Sequence, residues 1–110
     1  KFSKSFDYYL NYHTTANQPK YISLNNNSGK EIRTLKDNKD LNKKLKEYAI
    51  SQKTFFSFKT SENIELNAWM IKPPNFNDTN VYPVFITIYG GPGYQTVNDS
   101  WGGLNYSLFL

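Results

Sequence analysis

The chain has 110 residues, 38% hydrophobic and 17% aromatic, enough apolar material for one small domain and too little for two complete ones. Its formal charge of +4 comes from twelve lysines and one arginine, Arg33, against nine acids; the lysines are scattered apart from Lys39, Lys43, Lys44 and Lys46, and the aromatics fall in strand-like runs, so a nucleic-acid interface is not expected. Without cysteine there is no disulfide framework or cysteine-rich zinc site, and without a run of about 18 apolar residues no membrane span is expected in this segment.

Phe6-Asp7-Tyr8-Tyr9-Leu10-Asn11-Tyr12 is dense in aromatics that fit a pleated surface, and it predicts a strand. The polar stretch of residues 14–18 and Pro19 then breaks the pattern. Tyr21-Ile22-Ser23-Leu24 resumes it with polar and apolar residues alternating. Residues 25–29, Asn-Asn-Asn-Ser-Gly, tolerate the positive φ of a tight reversal, and Glu31-Ile32-Arg33-Thr34-Leu35 predicts a third strand of the same meander.

From Asp37 the period lengthens. Asp37 or Asn38 can cap a helix, and Leu41, Leu45 and Tyr48 or Ala49 recur at three- and four-residue spacing, which predicts one amphipathic helix whose lysines form a solvated face. Phe55-Phe56-Ser57-Phe58-Lys59 and residues 64–71, joined by a polar turn, predict a hairpin. Lys72-Pro73-Pro74 ends it, because consecutive prolines donate no ladder hydrogen bonds, and residues 75–80 form a polar loop. Val84-Phe85-Ile86-Thr87-Ile88-Tyr89 is apolar or β-branched almost throughout, the pattern of a central strand covered on both faces.

Gly90-Gly91-Pro92-Gly93 follows that run directly, and the carboxyl end of a central strand is where open α/β sheets place ligands. On its own this run is turn chemistry more often than a site. A glycine-rich loop after the third strand also supplies part of the oxyanion hole in α/β-hydrolases.

Taken together, Tyr82-Pro83, the apolar run, Tyr89-Gly90-Gly91-Pro92-Gly93, Gln95 and Trp101 resemble the start of the catalytic domain in the prolyl oligopeptidase group of serine peptidases, and within it the dipeptidyl peptidase IV type. Leu35-Lys36-Asp37-Asn38 followed by Leu41, and Met70-Ile71-Lys72-Pro73-Pro74 followed by Phe76, are similar to the segments that bridge that family's β-propeller and hydrolase domains. Many other members of the group carry His where this chain has Tyr89, which sets it apart from acylaminoacyl peptidases and oligopeptidases.

The resemblance implies a β-rich α+β fragment: the end of a β-propeller with a connecting helix over residues 1–50, then the first strands of an α/β-hydrolase domain over residues 51–110. It implies a parent enzyme that releases dipeptides from peptides with a free N-terminus when the second residue is Pro or Ala, without a cofactor or metal. Family members commonly form homodimers, and the family implies a periplasmic or secreted protein. Tyr89 matches the family's oxyanion tyrosine, with Gly90, Gly91, Pro92 and Gly93 as the oxyanion loop.

The nucleophile, acid and base are expected outside the chain. No Gly-x-Ser-x-Gly elbow occurs here, and the only histidine, His13, lies in the propeller-like half as a structural or surface residue. Gly93 stands where human-type enzymes have Cys, a difference typical of bacterial-looking relatives. The start at Lys1 and the apolar end Leu108-Phe109-Leu110 are read as those of an excerpt, inactive alone and dependent on the remainder of its parent chain. Trp69 and Phe85 are expected to pack in a core, and Trp101 beside the active-site loop. The rival from another class is a noncatalytic β-rich module binding peptide or sugar through its tyrosine-rich strands.

Overall fold

A computed structural model describes residues 1–106. The chain divides into two compact units, the first formed by Lys1–Ala49 with Asp99–Gly103, the second by Ile50–Asn98 with residues 104–106.

In the first unit, β1 (Tyr8–Thr15), β2 (Gln18–Asn26) and β3 (Glu31–Lys36) form an antiparallel sheet in the order β1-β2-β3. The predicted meander is present, and β2 starts earlier than expected. Pro19 lies inside it and is buried, because Pro19 and Lys20 together oppose the single residue Thr14, between the pairs His13↔Tyr21 and Thr15↔Gln18. At such a bulge the missing N–H of proline removes no ladder bond.

Neither residue of the β1-β2 turn, Ala16 or Asn17, takes positive φ, so this is not one of the mirror-image turns that match strand twist. Side chains hold it instead. The Thr14 hydroxyl donates to Gln18 O at 2.8 Å, and Asp99 Oδ1 accepts the Ala16 N–H at 2.6 Å. The β2-β3 reversal follows the expected chemistry. Gly29 takes φ 87°, and Asn26 Oδ1 accepts from Lys30 N at 2.9 Å and from the Ser28 hydroxyl at 2.8 Å.

The sheet's most buried side chain is polar. Ser23 is 1% exposed and donates to Asn25 Oδ1 at 2.7 Å, while Asn25 Nδ2 donates to Gly29 O at 3.1 Å, so the pair is satisfied within the strand and its turn. On the exposed surface, Glu31 accepts from the Thr34 hydroxyl at 2.6 Å and from the Tyr21 phenol at 2.7 Å. These two donors, Thr34 first, hold its carboxyl below the usual carboxylate value.

The helix α1 (Lys39–Glu47) begins at Asn38, in the left-handed region at φ 53°. The Asn38 side chain does not cap the helix. Its Nδ2 donates to Lys20 O, and the Asp37 carboxylate takes the Lys39 N–H at 3.1 Å. The Lys39 ammonium stands 2.9 Å from Asp37, and that pairing lowers the carboxyl's pKa and raises the amine's. No residue of α1 is buried, which fits the expected solvated lysine face.

In the second unit, β4 (Lys53–Lys59) and β5 (Glu65–Ile71) pair antiparallel in one unbroken register from Lys53↔Ile71 to Lys59↔Glu65. Asn63 at φ 61° and the Thr60 hydroxyl, which accepts the Ile64 N–H at 3.2 Å, close the turn. Trp69 is half-buried as a packing residue, with the Lys53 ammonium 4.4 Å over its ring and Tyr106 at 5.0 Å. After the paired prolines, Phe76 stacks on Tyr82 at 4.9 Å under the Lys72 ammonium, and the Tyr82 phenol oxygen accepts the Asn77 N–H at 3.1 Å.

The predicted central strand is the main correction. Residues 82–90 form no strand among the described residues, and Val84 and Ile88 are 80% and 89% exposed. Phe85, expected in a core, is 74% exposed. The cause is topological: a run apolar on both sides is stable as a strand only between neighbours, and parallel neighbours arrive through crossovers of a dozen or more residues.

Candidate active-site loop

Tyr89 ends the apolar run and is 55% exposed. Its phenol folds back over the loop that follows. A Cβ added at Gly91 would stand 2.7 Å from Tyr89 Oη and 2.9 Å from Cζ, so the ring occupies the space that any larger residue would fill. Gly91 therefore leaves the room that the ring takes in this position. Gly93 is required for conformation, at φ 79°. Pro92 precedes it, and proline followed by a positive-φ glycine is the central pair of a type II turn. Nothing lies within 4 Å of a Cβ added at Gly90.

The turn returns the chain toward Tyr89. Tyr94 meets it edge to face, with ring centroids 5.3 Å apart and planes at 75°. Beyond it Gln95 organises the next bend, its Oε1 accepting Val97 N–H at 3.0 Å and its carbonyl oxygen accepting Asn98 Nδ2 at 2.7 Å. Tyr89 and the glycine loop, singled out from sequence, are thus brought together. Tyr94 was missed, because only the sense of the Pro92-Gly93 turn reveals that it comes back.

Trp101 falls in the first unit, half-buried, its N–H donating to the Thr14 hydroxyl oxygen at 3.2 Å, whereas residues 89–93 fall in the second. His13 is exposed on β1, paired across the ladder with Tyr21. The arrangement at Tyr89 can present a phenolic donor, half in solvent and aromatic-backed, to an acceptor on its open side. Among the described residues no helix is long and apolar enough to cross a membrane.

No family model matches the sequence. A probable dipeptidyl peptidase 4 of Trichophyton verrucosum is 36% identical over 110 residues, spanning 99% of this chain and 15% of the relative. The chain is related to the dipeptidyl peptidase 4 enzymes. Dipeptidyl peptidase 4 of Arthroderma otae is 41% identical over 81 residues, 74% of this chain and 10% of that protein. The crystal structure of Porphyromonas gingivalis dipeptidyl peptidase 4 superposes with a TM-score of 0.89 at 38% identity, covering 98% of this chain and 16% of that one. The chain thus spans about a seventh of the length of the dipeptidyl peptidase 4 relatives it matches end to end. Among the described residues, the two small antiparallel sheets and single helix agree with a segment of such an enzyme. Both fungal proteins and the P. gingivalis enzyme share the likeness, so it does not single out a bacterial source.

Proposed function

We propose that this chain is the segment joining a β-propeller to an α/β-hydrolase domain in a serine exopeptidase that releases N-terminal X-Pro or X-Ala dipeptides. Within it Tyr89 donates its phenolic O–H to the negative charge that develops on the scissile carbonyl oxygen. The reading is carried by the correspondence of nearly the whole chain to dipeptidyl peptidase 4 at 38% identity and a TM-score of 0.89. Local geometry supports it: Tyr89 is exposed at the end of the apolar run, with its phenol against Gly91 and its ring edge to face with Tyr94.

In the whole protein the nucleophilic Ser, the Asp and the His come from chain beyond this segment, and residues 84–89 become a strand between neighbours supplied there. The substrate is a peptide with a free N-terminus. A periplasmic or secreted location and a homodimer complete the proposal, both on the strength of the family likeness.

A donor aimed at charge that exists only in the transition state acts on the chemical step and little on substrate affinity. Tyr89→Phe in the full-length protein is expected to lower kcat by about 10²- to 10³-fold on an X-Pro amide, with KM nearly unchanged. An unchanged kcat would remove Tyr89 from the oxyanion hole.

A further inference from the structure

The loop after Tyr89 carries an aromatic side chain that the proposed chemistry does not use. Tyr94 is 68% exposed, so it is not there to fill a core. The Pro92-Gly93 turn nevertheless brings its ring to 5.3 Å from that of Tyr89, at 75°. On another side the Tyr89 phenol lies against Gly91, where a Cβ would stand 2.7 Å from Oη. A tyrosine exposed at the end of an apolar run otherwise has two side-chain torsions to fix. An edge-to-face partner favours one ring orientation, because the positive ring edge meets the negative ring face. A donor oriented in advance needs no reorganisation when charge appears.

We propose that Tyr94 is a positioning residue for Tyr89, holding the phenol against Gly91 so that its O–H points where the oxyanion forms. The inference rests on the reading of Tyr89 as the oxyanion donor and adds to it. Tyr94 acts through Tyr89 and through the ring alone; its own hydroxyl has no part.

The test is a mutant cycle in the full-length protein with a chromogenic X-Pro amide, Tyr94→Ala and Tyr94→Phe each made with and without Tyr89→Phe. Tyr94→Ala is expected to lower kcat about three- to tenfold while KM holds, and Tyr94→Phe to retain full kcat. Once Tyr89→Phe is present, Tyr94→Ala should cost nothing more, because the hydroxyl it orients is gone. Tyr94→Leu, which keeps bulk but loses the ring, carries the same expectation and replaces the alanine variant should that fail to fold. An equal fall in both backgrounds, a fall for Tyr94→Phe matching that of Tyr94→Ala, or no fall at all overturns the positioning role and leaves the oxyanion reading standing. No loss from Tyr89→Phe alone overturns the oxyanion reading, and the positioning role with it.

Discussion

Two glycines separated only by Pro92 do different work. Gly93 is needed for its φ of 79°, whereas Gly91 is needed because the Tyr89 phenol occupies the place of its absent side chain. The obstructing atoms belong to the far end of a side chain, so Gly91→Ala leaves the backbone in place and turns the ring out. Misplacing a catalytic group by about 1 Å can cost roughly a hundredfold in rate. We expect Gly91→Ala to lower kcat of the full-length protein by up to about that factor, with little change in melting temperature because the loop is largely exposed. Steady-state kinetics beside a thermal melt separates the two, and a large loss of stability with unaltered kcat would refute the steric argument.

At the scale of elements, the first unit shows how a turn of poor intrinsic geometry is kept. The β1-β2 turn has no positive-φ residue, and the Asp99 carboxylate closes it by accepting the N–H of Ala16, itself only 7% exposed. Removing an acceptor from a buried donor costs about 1 to 3 kcal/mol. Asp99→Ala should therefore speed hydrogen exchange at the Ala16 amide by about tenfold or more, while Asp99→Asn, which keeps an oxygen there, should restore most of the protection. Equal exchange in the native and alanine forms would deny Asp99 this role.

The same region marks what the sequence discloses. The three strands and the β4-β5 hairpin were legible because alternation and turn residues sit within one short window. Pro19 misled, since its tolerance depends on Thr14 of the partner strand being the lone residue opposite the bulge. Asp99 was illegible for its turn-closing role, 83 residues from its partner. At the candidate site the glycine pattern pointed to residues 89–93, whereas Tyr94 depended on a turn's direction, which no residue string displays.

For the whole molecule, accessible area is the telling quantity. Within the described residues the large apolar side chains stand mostly open to solvent, Val84, Phe85, Ile86 and Ile88 at 80%, 74%, 75% and 89% among them. Ala16 is the one buried hydrophobic residue among those described. So little burial cannot offset the entropy of ordering the chain, which argues against an independent binding module. The isolated 110 residues are expected to lose circular dichroism over a broad, shallow denaturant range. A sharp, reversible transition with coincident probes would reinstate the module.

The apolar run of residues 84–89 has a further consequence during synthesis. Six residues of high β-propensity, with no charge and no proline, have the composition of a steric zipper. On the proposed reading, in which these residues become a strand only between neighbours supplied by later chain, like runs on two nascent chains can pair with each other first. Pro83 stands immediately before the run and Gly90-Gly91-Pro92 immediately after it, and proline interrupts cross-β stacking on either side. The bend that sets the loop geometry thus doubles as a gatekeeper, confining the fibril-forming hazard to six residues of each nascent chain.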